Sequence, residues 1–429
     1  MIGITMFFVA LGMLLIGFPV AFIFGGVALW FGVYAEGPDM FGFMPFRVQS
    51  IMENTVMMAV PLFVFMGIVL QKTRLAEQLL ESMGKLFGGV RGGLAISTVL
   101  VGALLAASTG VVGASVVAMG LISLPVMLKY NYDKKLACGT ICASGTLGQI
   151  IPPSIILIIL GDVMGIPVGD LFQAAILPGV ILIGAYVAYI LVYTFLKPSA
   201  APALPMDLDD GTRRQQTFQA LKAIIPPLAL ILVVLGSIFA GIATPTESSA
   251  LGGVGALLLA LIYRQFSWKM VYDSALETVK VTAMVFAILL GATAFSMAFS
   301  YTGGEEIVEH YLSNLPGGAM GFLLLSMLAI LILGFFIDFV EISFIIVPIL
   351  LPAAEILGIA PVWFAILIAM NLQTSFLTPP FGFSLFYLKG VAPPNVRTLD
   401  IYKGVVPFIL MQVAIVISIL LFPEFYGLV

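Results

Sequence analysis

A chain of 429 residues that is 61% hydrophobic and only 9% charged, with a mean hydropathy of +1.16, is not a soluble domain, because those carry about 25% charged residues. The composition describes a protein that crosses a lipid bilayer many times. The net charge of −4 says little, because lipid-facing surface carries none of it; no nucleic-acid partner is expected, and a single histidine, His310, leaves little equipment for haem, quinone-site or zinc chemistry.

Charge-free windows outline the spans, at about 20 apolar residues per helical crossing. Met1–Ala35 is the first. No basic stretch precedes it and no small-residue cleavage site follows, so it reads as a retained span. Asn54–Gln71 is the second. Lys72–Arg91 carries Lys72, Arg74, Lys85 and Arg91 on a helical apolar period, which predicts a helix lying along the interface. Gly92–Leu128 is too long for one crossing, and Ser108–Ser115 at its centre is rich in residues that favour open backbone. A re-entrant hairpin over about 92–128 explains both facts.

Lys129, Lys134 and Lys135 follow, and then a crossing over about 136–161 contains Gly145-Thr146-Leu147-Gly148-Gln149-Ile150-Ile151-Pro152-Pro153-Ser154. Paired prolines remove two backbone donors and resist the helix, so this span is broken. Leu171–Leu196 crosses again and leads to the polar loop 197–222, where Arg213 and Arg214 stand beside Asp207, Asp209 and Asp210. Cys138 and Cys142, four residues apart in an apolar run, read as small packing residues and not as half a metal site.

Residues 223–246 form a connecting helix, and Thr244-Pro245-Thr246-Glu247 reads as the capped start of the next span. Crossings over Ser248–Tyr263 and Val281–Gly304 come next. The stretch Gly304–Pro316 holds Glu305, Glu306 and Glu309 with no lysine or arginine. A second hairpin over about 317–354 has Asp338-Phe339-Val340-Glu341 at its tip. A second broken span over about 362–388 contains Asn371-Leu372-Gln373-Thr374-Ser375-Phe376-Leu377-Thr378-Pro379-Pro380. Gly404–Pro423 is the last crossing.

One offset relates the halves. The pairs Pro125/Pro352, Pro152/Pro379, Pro153/Pro380, Pro167/Pro394, Gly25/Gly252 and Gly26/Gly253 are all separated by 227 positions. Repeats 1–222 and 247–429 joined by one extra crossing predict inverted topology. Placing the basic segments in the cytoplasm gives nine crossings, a cytoplasmic N-terminus and an outer C-terminus. Fold class is therefore an all-α polytopic membrane protein of two inverted repeats, each with a re-entrant hairpin and a broken helix. In hydrocarbon, open backbone survives only where it is buried in protein or lines a cavity, and matched breaks in two halves mark a transporter's central site.

No full crossing holds a deep lysine or arginine, so an anionic cargo must be met by backbone. Half-helix N-termini after Ser115, Ser154, Glu341 and Phe381 each offer about half a positive charge and free amides. Carbonyl ends and the hydroxyls of Ser108, Thr109, Ser115, Thr146, Ser154, Thr374, Ser375 and Thr378 suit a hard cation such as sodium. Gln149, Asn371 and Gln373 either join them or satisfy opened backbone. Asp338 and Glu341, as intramembrane acids, are candidates to hold a cation or to titrate; their spacing of three also suits capping the next half-helix or reaching interfacial water.

Several pieces together resemble the large membrane subunit of tripartite ATP-independent periplasmic (TRAP) transporters: Gly241-Ile242-Ala243-Thr244-Pro245-Thr246-Glu247, Ile151-Pro152-Pro153-Ser154, Leu377-Thr378-Pro379-Pro380-Phe381-Gly382, and Gly358-Ile359-Ala360-Pro361. The resemblance covers essentially the whole chain. It implies an elevator-type, sodium-coupled importer of organic acids in the bacterial inner membrane, with no catalytic activity and no cofactor beyond coupling sodium ions. It also implies a small four-helix membrane subunit and a periplasmic substrate-binding protein as partners. Carried over by position, one sodium site falls around Ser108, Gly110, Gly113, Gly145 and Gly148, and the other around Gly334, Asp338, Thr374 and Thr378. Substrate contacts are expected from Ser115, Thr146, Ser154, Gln373 and Ser375. This chain departs from the family in Gln373–Leu377, where a small glycine-containing run is usual, and in its acidic second tip. The alternative is a stand-alone sodium- or proton-coupled anion symporter or antiporter of related hairpin architecture.

Overall fold

The computed structural model describes residues 1–73, 75–110, 112–203 and 213–429, apart from the side chains of 15, 75, 76, 85, 107–109, 213–217 and 219. The segment 204–212, Arg74 and Val111 lie outside the described residues, as do the side chains of Ser108, Thr109, Lys85, Arg213 and Arg214.

All regular structure among the described residues is helical. The first half comprises α1 (Ile2–Ile16), α2 (Val20–Glu36), α3 (Met44–Met52), α4 (Ala59–Lys72), α5 (Leu75–Phe87), α6 (Gly93–Thr109), α7 (Val112–Lys129), α8 (Lys134–Thr146), α9 (Ile155–Met164) and α10 (Val168–Leu196). Then come α11 (Arg213–Phe239), α12 (Pro245–Ile262), α13 (Trp268–Tyr301), α14 (Gly304–Ser313), α15 (Gly318–Leu333), α16 (Phe339–Glu341), α17 (Val347–Ile356), α18 (Pro361–Leu377), α19 (Phe383–Val391) and α20 (Thr398–Leu421). A π-turn, Ile342–Ile346, joins α16 to α17.

Adding 227 to the bounds of α6 through α10 lands on α15 through α20 within a few residues, so the offset read from prolines is a structural repeat. The repeat is inverted. The start of α8 lies beside the start of α20, where Lys134 Nζ donates to the carbonyl of Asn395 at 2.7 Å. Asp170, at the start of α10, instead shares a depression with Val362 of α18 and with Leu428. The chain crosses once between the starts of α8 and α10, so α8 and its equivalent α18 begin on opposite faces.

Two layers follow from the packing. α2 lies against α13 and, in the equivalent pairing, α12 lies against α4, with α4 and α13 also touching. These helices form a frame, while α6–α10 and α15–α20 form a central body. α5 and α14 run between frame and body. Inside the body, α8 and α20 approach backbone to backbone: a Cβ on Gly139 would strike the carbonyl of Gly404, and one on Gly404 would lie 3.0 Å from the amide of Gly139. Small residues are what permit such approach in lipid.

Loop contacts set the faces. Gly92 N donates to Ala201 O at 3.1 Å and Asp133 N donates to Ala200 O at 2.7 Å, which brings the three basic segments together on one face. The charge-free window Met1–Ala35 holds two helices, not one span, because Gly17 at φ 93° and Pro19 end α1 and begin α2. Gly3 consequently lies against Gly304, 2.8 Å from a built Cβ. The N-terminus thus shares a face with the acidic segment 304–316, whereas the count of nine crossings put them on opposite sides. A further difference concerns the connecting helix, which begins at Arg213 inside the expected loop 197–222 and ends at Phe239.

At Thr244 the expected cap forms as a reciprocal box. Glu247 N donates to Thr244 Oγ1 at 3.2 Å, and Thr244 N donates to Glu247 Oε2 at 2.8 Å. Thr246 turns elsewhere and donates to the carbonyl of Thr55 at 2.6 Å. Cys138 and Cys142 are buried free thiols.

Candidate functional site: two broken helices at the centre

At the first break α8 tightens into a short 3₁₀ turn, Leu147–Gln149, and the chain then opens through a cis Pro152–Pro153 bond. Ser154 is extended, with φ −112° and ψ 129°, and begins α9. At the second break α18 ends at Leu377, Thr378 is extended, Pro379–Pro380 is likewise cis, and Gly382 begins α19. Both breaks leave a carbonyl facing the far half-helix, and each is met by a serine. Ser154 Oγ donates to Gln149 O at 2.6 Å, and Ser384 Oγ donates to Phe376 O at 2.8 Å. Gln149 and Phe376 are 227 positions apart. A hydroxyl here satisfies an acceptor that lipid could not.

Each hairpin grips its own break. Gly110 makes the first tip turn at φ 60°, where a Cβ would come within 2.8 Å of Ile155 Cγ1. A Cβ on Gly148 would lie 2.7 Å from Ala106 O, and Gly145 sits against Val116. These three of the predicted first-half residues therefore converge. Gly113 faces the other repeat, its built Cβ 2.7 Å from Cζ of Tyr387. In the second half Gly334 lies against Ser375, Phe336 meets Phe381 at 5.3 Å between ring centroids, and Phe339 meets Phe376 at 6.3 Å.

The half-helix starts differ from expectation at both tips. α7 begins at Val112, so Ser115 lies within its first turn, buried and engaged by a neighbour. After the second tip the helix begins at Phe339, not after Glu341: Asp338 is its cap and accepts from Phe339 N at 2.7 Å. An aspartate outcompetes a position three residues later because its oxygen reaches an amide that the helix leaves unpaired. Glu341 is buried, and its Oε2 has no hydrogen-bond partner among the described residues.

The hydroxyls share one arrangement. Thr146 donates to Ala143 O at 2.9 Å, Thr374 to Met370 O at 2.9 Å, Ser375 to Leu372 O at 2.7 Å and Thr378 to Thr374 O at 2.7 Å. With the hydrogen committed to its own helix, each oxygen keeps lone pairs only for an incoming donor or cation. Asn371 donates to Met327 O at 2.6 Å, tying the second broken helix to its hairpin.

The two breaks lie side by side, the 3₁₀ turn of the first packing on α18. Between them is a buried polar cluster that the sequence does not announce. Gln412 Nε2 donates to Tyr186 Oη at 2.7 Å and approaches Thr146 Oγ1 at 3.5 Å. Gln373, which is equivalent to Thr146 by the offset, approaches the same phenol without a well-aligned hydrogen bond. Tyr186 and Gln412 lie in the middle stretches of two long, mostly apolar helices. Their only signal is that 412 and 185 stand 227 apart, so both fall near the axis relating the repeats.

No lysine or arginine occurs between Leu136 and Leu196 or between Pro316 and Leu388. A buried, helix-only site of paired breaks, hairpin tips and oxygen donors with no basic side chain defines a membrane transporter. The family model described as tripartite ATP-independent periplasmic transporter, DctM component, matches residues 6–425, and the chain belongs to that family. It is 30% identical to the ectoine TRAP transporter large permease protein TeaC of Halomonas elongata, over 96% of this chain and 95% of that one. It is 29% identical to the sialic acid TRAP transporter large permease protein SiaM of Vibrio cholerae, over 97% and 95% respectively. Its fold is similar to the crystal structure of the YdaH transporter of Alcanivorax borkumensis, with a TM-score of 0.62 at 14% identity, covering 90% of this chain and 88% of that one.

Proposed function

We propose that the chain is the transport subunit of a tripartite importer that carries a carboxylate-bearing organic solute across the bacterial inner membrane, driven by sodium. The reading rests on one observation: two equivalent breaks lie side by side with their hairpin tips and no basic side chain. Peptide dipoles must then supply the positive potential for an anion, and carbonyl and hydroxyl oxygens the negative potential for a cation. One such oxygen cage is assigned to Ser108, Gly110, Gly145 and Gly148, a reading supported by the close approach of the three glycines to the hairpin and the far half-helix. Gly334, Asp338, Thr374 and Thr378 form the other. Cargo contacts come from Ser115, Thr146, Ser154, Gln373 and Ser375.

Sodium at the cages orders the tips and so raises the affinity for cargo, a coupling that is reciprocal. The central body then moves against the frame. A small membrane subunit braces the frame, and a periplasmic binding protein delivers the cargo, in keeping with the family. Relatives named for ectoine, sialic acid and C4-dicarboxylates support a carboxylate-bearing cargo. Both chain termini are assigned to the periplasmic face. The test is uptake into proteoliposomes holding the chain and its small subunit, with binding protein and labelled cargo outside. Inward-directed sodium should drive accumulation. Equal uptake with choline in its place would refute sodium coupling.

A further inference from the structure

A crevice of about 590 Å³ lies where α5, α11 and the end of α12 meet, outside the central site. It is on the face that carries the three basic loops, and its position at the membrane surface is marked by the exposed aromatic rings of Trp268 and Tyr272 at the start of α13. Two cations stand at its mouth, Lys222 on α11 and Arg264 after α12. Neither forms an ion pair or hydrogen bond among the described residues. Glu81, also on the rim, is already engaged by a neighbour.

Arg264 occupies a position that favours glycine. Its φ is 56°, just past the C-terminal turn of α12, where Gln265 N closes onto Ala260 O at 2.9 Å. A left-handed residue here is glycine by default, and a side chain costs about 1 kcal/mol. The backbone holds an arginine at the crevice mouth despite that cost. Gln78, Ser82 and Tyr263 add neutral donors, while Ala223, Pro226 and Ile262 make an apolar wall descending between α11 and α12.

We propose that this crevice binds the headgroup of an anionic phospholipid, with its phosphate between Lys222 and Arg264 and an acyl chain along the apolar wall. Basic pockets between membrane helices at the headgroup level suit such lipids, and a cationic rim above an apolar wall matches an amphiphile better than a soluble anion. The bound lipid joins α5, which leads into the first hairpin, to α11 and to the frame helix α12.

The test is native mass spectrometry of the full chain released from detergent, titrated with phosphatidylglycerol or phosphatidylcholine. Phosphatidylglycerol adducts should form at least several-fold more readily than phosphatidylcholine adducts. They should fall several-fold in Lys222→Gln and in Arg264→Gly. The glycine variant relieves the left-handed backbone, so its lost binding cannot be ascribed to misfolding, and a melting temperature at or above the parent's confirms this. Lys269→Gln, on the same face but outside the crevice, should bind as the parent does. Equal binding of both lipids, or parental binding by both crevice variants, would overturn the proposal. Displacement of phosphatidylglycerol by millimolar inorganic phosphate would mark a free-anion site and overturn the lipid assignment.

Discussion

Ser154 reaches back across the first break to the carbonyl of Gln149 at 2.6 Å, and both residues are buried. Removing the hydroxyl leaves a desolvated acceptor unpaired, which costs about 1–3 kcal/mol. Ser154→Ala and Ser384→Ala should each lower the melting temperature in detergent and reduce uptake, because each opens one break. Ser313→Ala, which removes a partly buried hydroxyl bonded to Glu309 O of its own helix at 2.6 Å at the end of α14, should cost less in both assays. Equal effects of all three would deny the serine bridges any special place.

Gly148 leaves no room for a side chain: a Cβ would sit 2.7 Å from Ala106 O, a backbone atom that cannot swing aside. Gly148→Ala should therefore destabilise by about 1–3 kcal/mol, the usual range for overpacking, and abolish uptake. Gly184 on α10 has nothing within 4 Å of the corresponding point. Gly184→Ala should raise stability by about 0.5–1 kcal/mol through helix propensity, with uptake intact. Thermal unfolding of both variants in one detergent checks the contrast.

Gln412 and Tyr186 should show strong coupling. Gln412→Leu strands a buried phenol, whereas the double variant with Tyr186→Phe removes both partners of the 2.7 Å bond. The double variant should lose less than the sum of the singles, by about 0.5–3 kcal/mol. Strict additivity in unfolding measurements would show that the bond carries no net energy.

Asp338→Asn separates charge from capping. Asparagine caps a helix as well as aspartate does, so Phe339 N keeps its acceptor and the second tip keeps its shape. Neutralising this carboxylate should raise the sodium concentration for half-maximal uptake roughly tenfold or more, about 1.4 kcal/mol per tenfold. An unchanged sodium dependence would remove Asp338 from the cation site.

Both native cysteines are buried, so introduced cysteines can report sidedness without a background. In cells with the outer membrane permeabilised, a membrane-impermeant maleimide should label Ile2→Cys and Glu305→Cys alike and spare Lys222→Cys. Labelling of Glu305→Cys without Ile2→Cys would restore an odd number of crossings.

The breaks were legible because paired prolines act locally: each removes a donor whatever surrounds it. The repeat was legible because prolines and glycines hold their places at one spacing. Sidedness of the N-terminus was not, since only Gly17-Phe18-Pro19 separates α1 from α2 and no charge marks the turn. Tyr186 and Gln412 escaped because their partnership is tertiary: neither stands out among the other polar residues of its helix, such as Tyr189 and Ser418, and nothing local says that they meet. The start of the helix after the second tip is not legible, because Asp338 and Glu341 are both chemically able to cap a helix, and only the folded chain shows which amide is reached.

The Gly139–Gly404 approach joins the broken helix of the first repeat to the final helix of the second, with no side chains between to yield or slide. The two repeats cannot gate independently: whatever displaces one break carries the other with it. Alternation must therefore take place along the seam where the frame meets this welded slab. A disulfide locking α8 to α20 should leave turnover untouched, and one locking α4 to α6 should halt it.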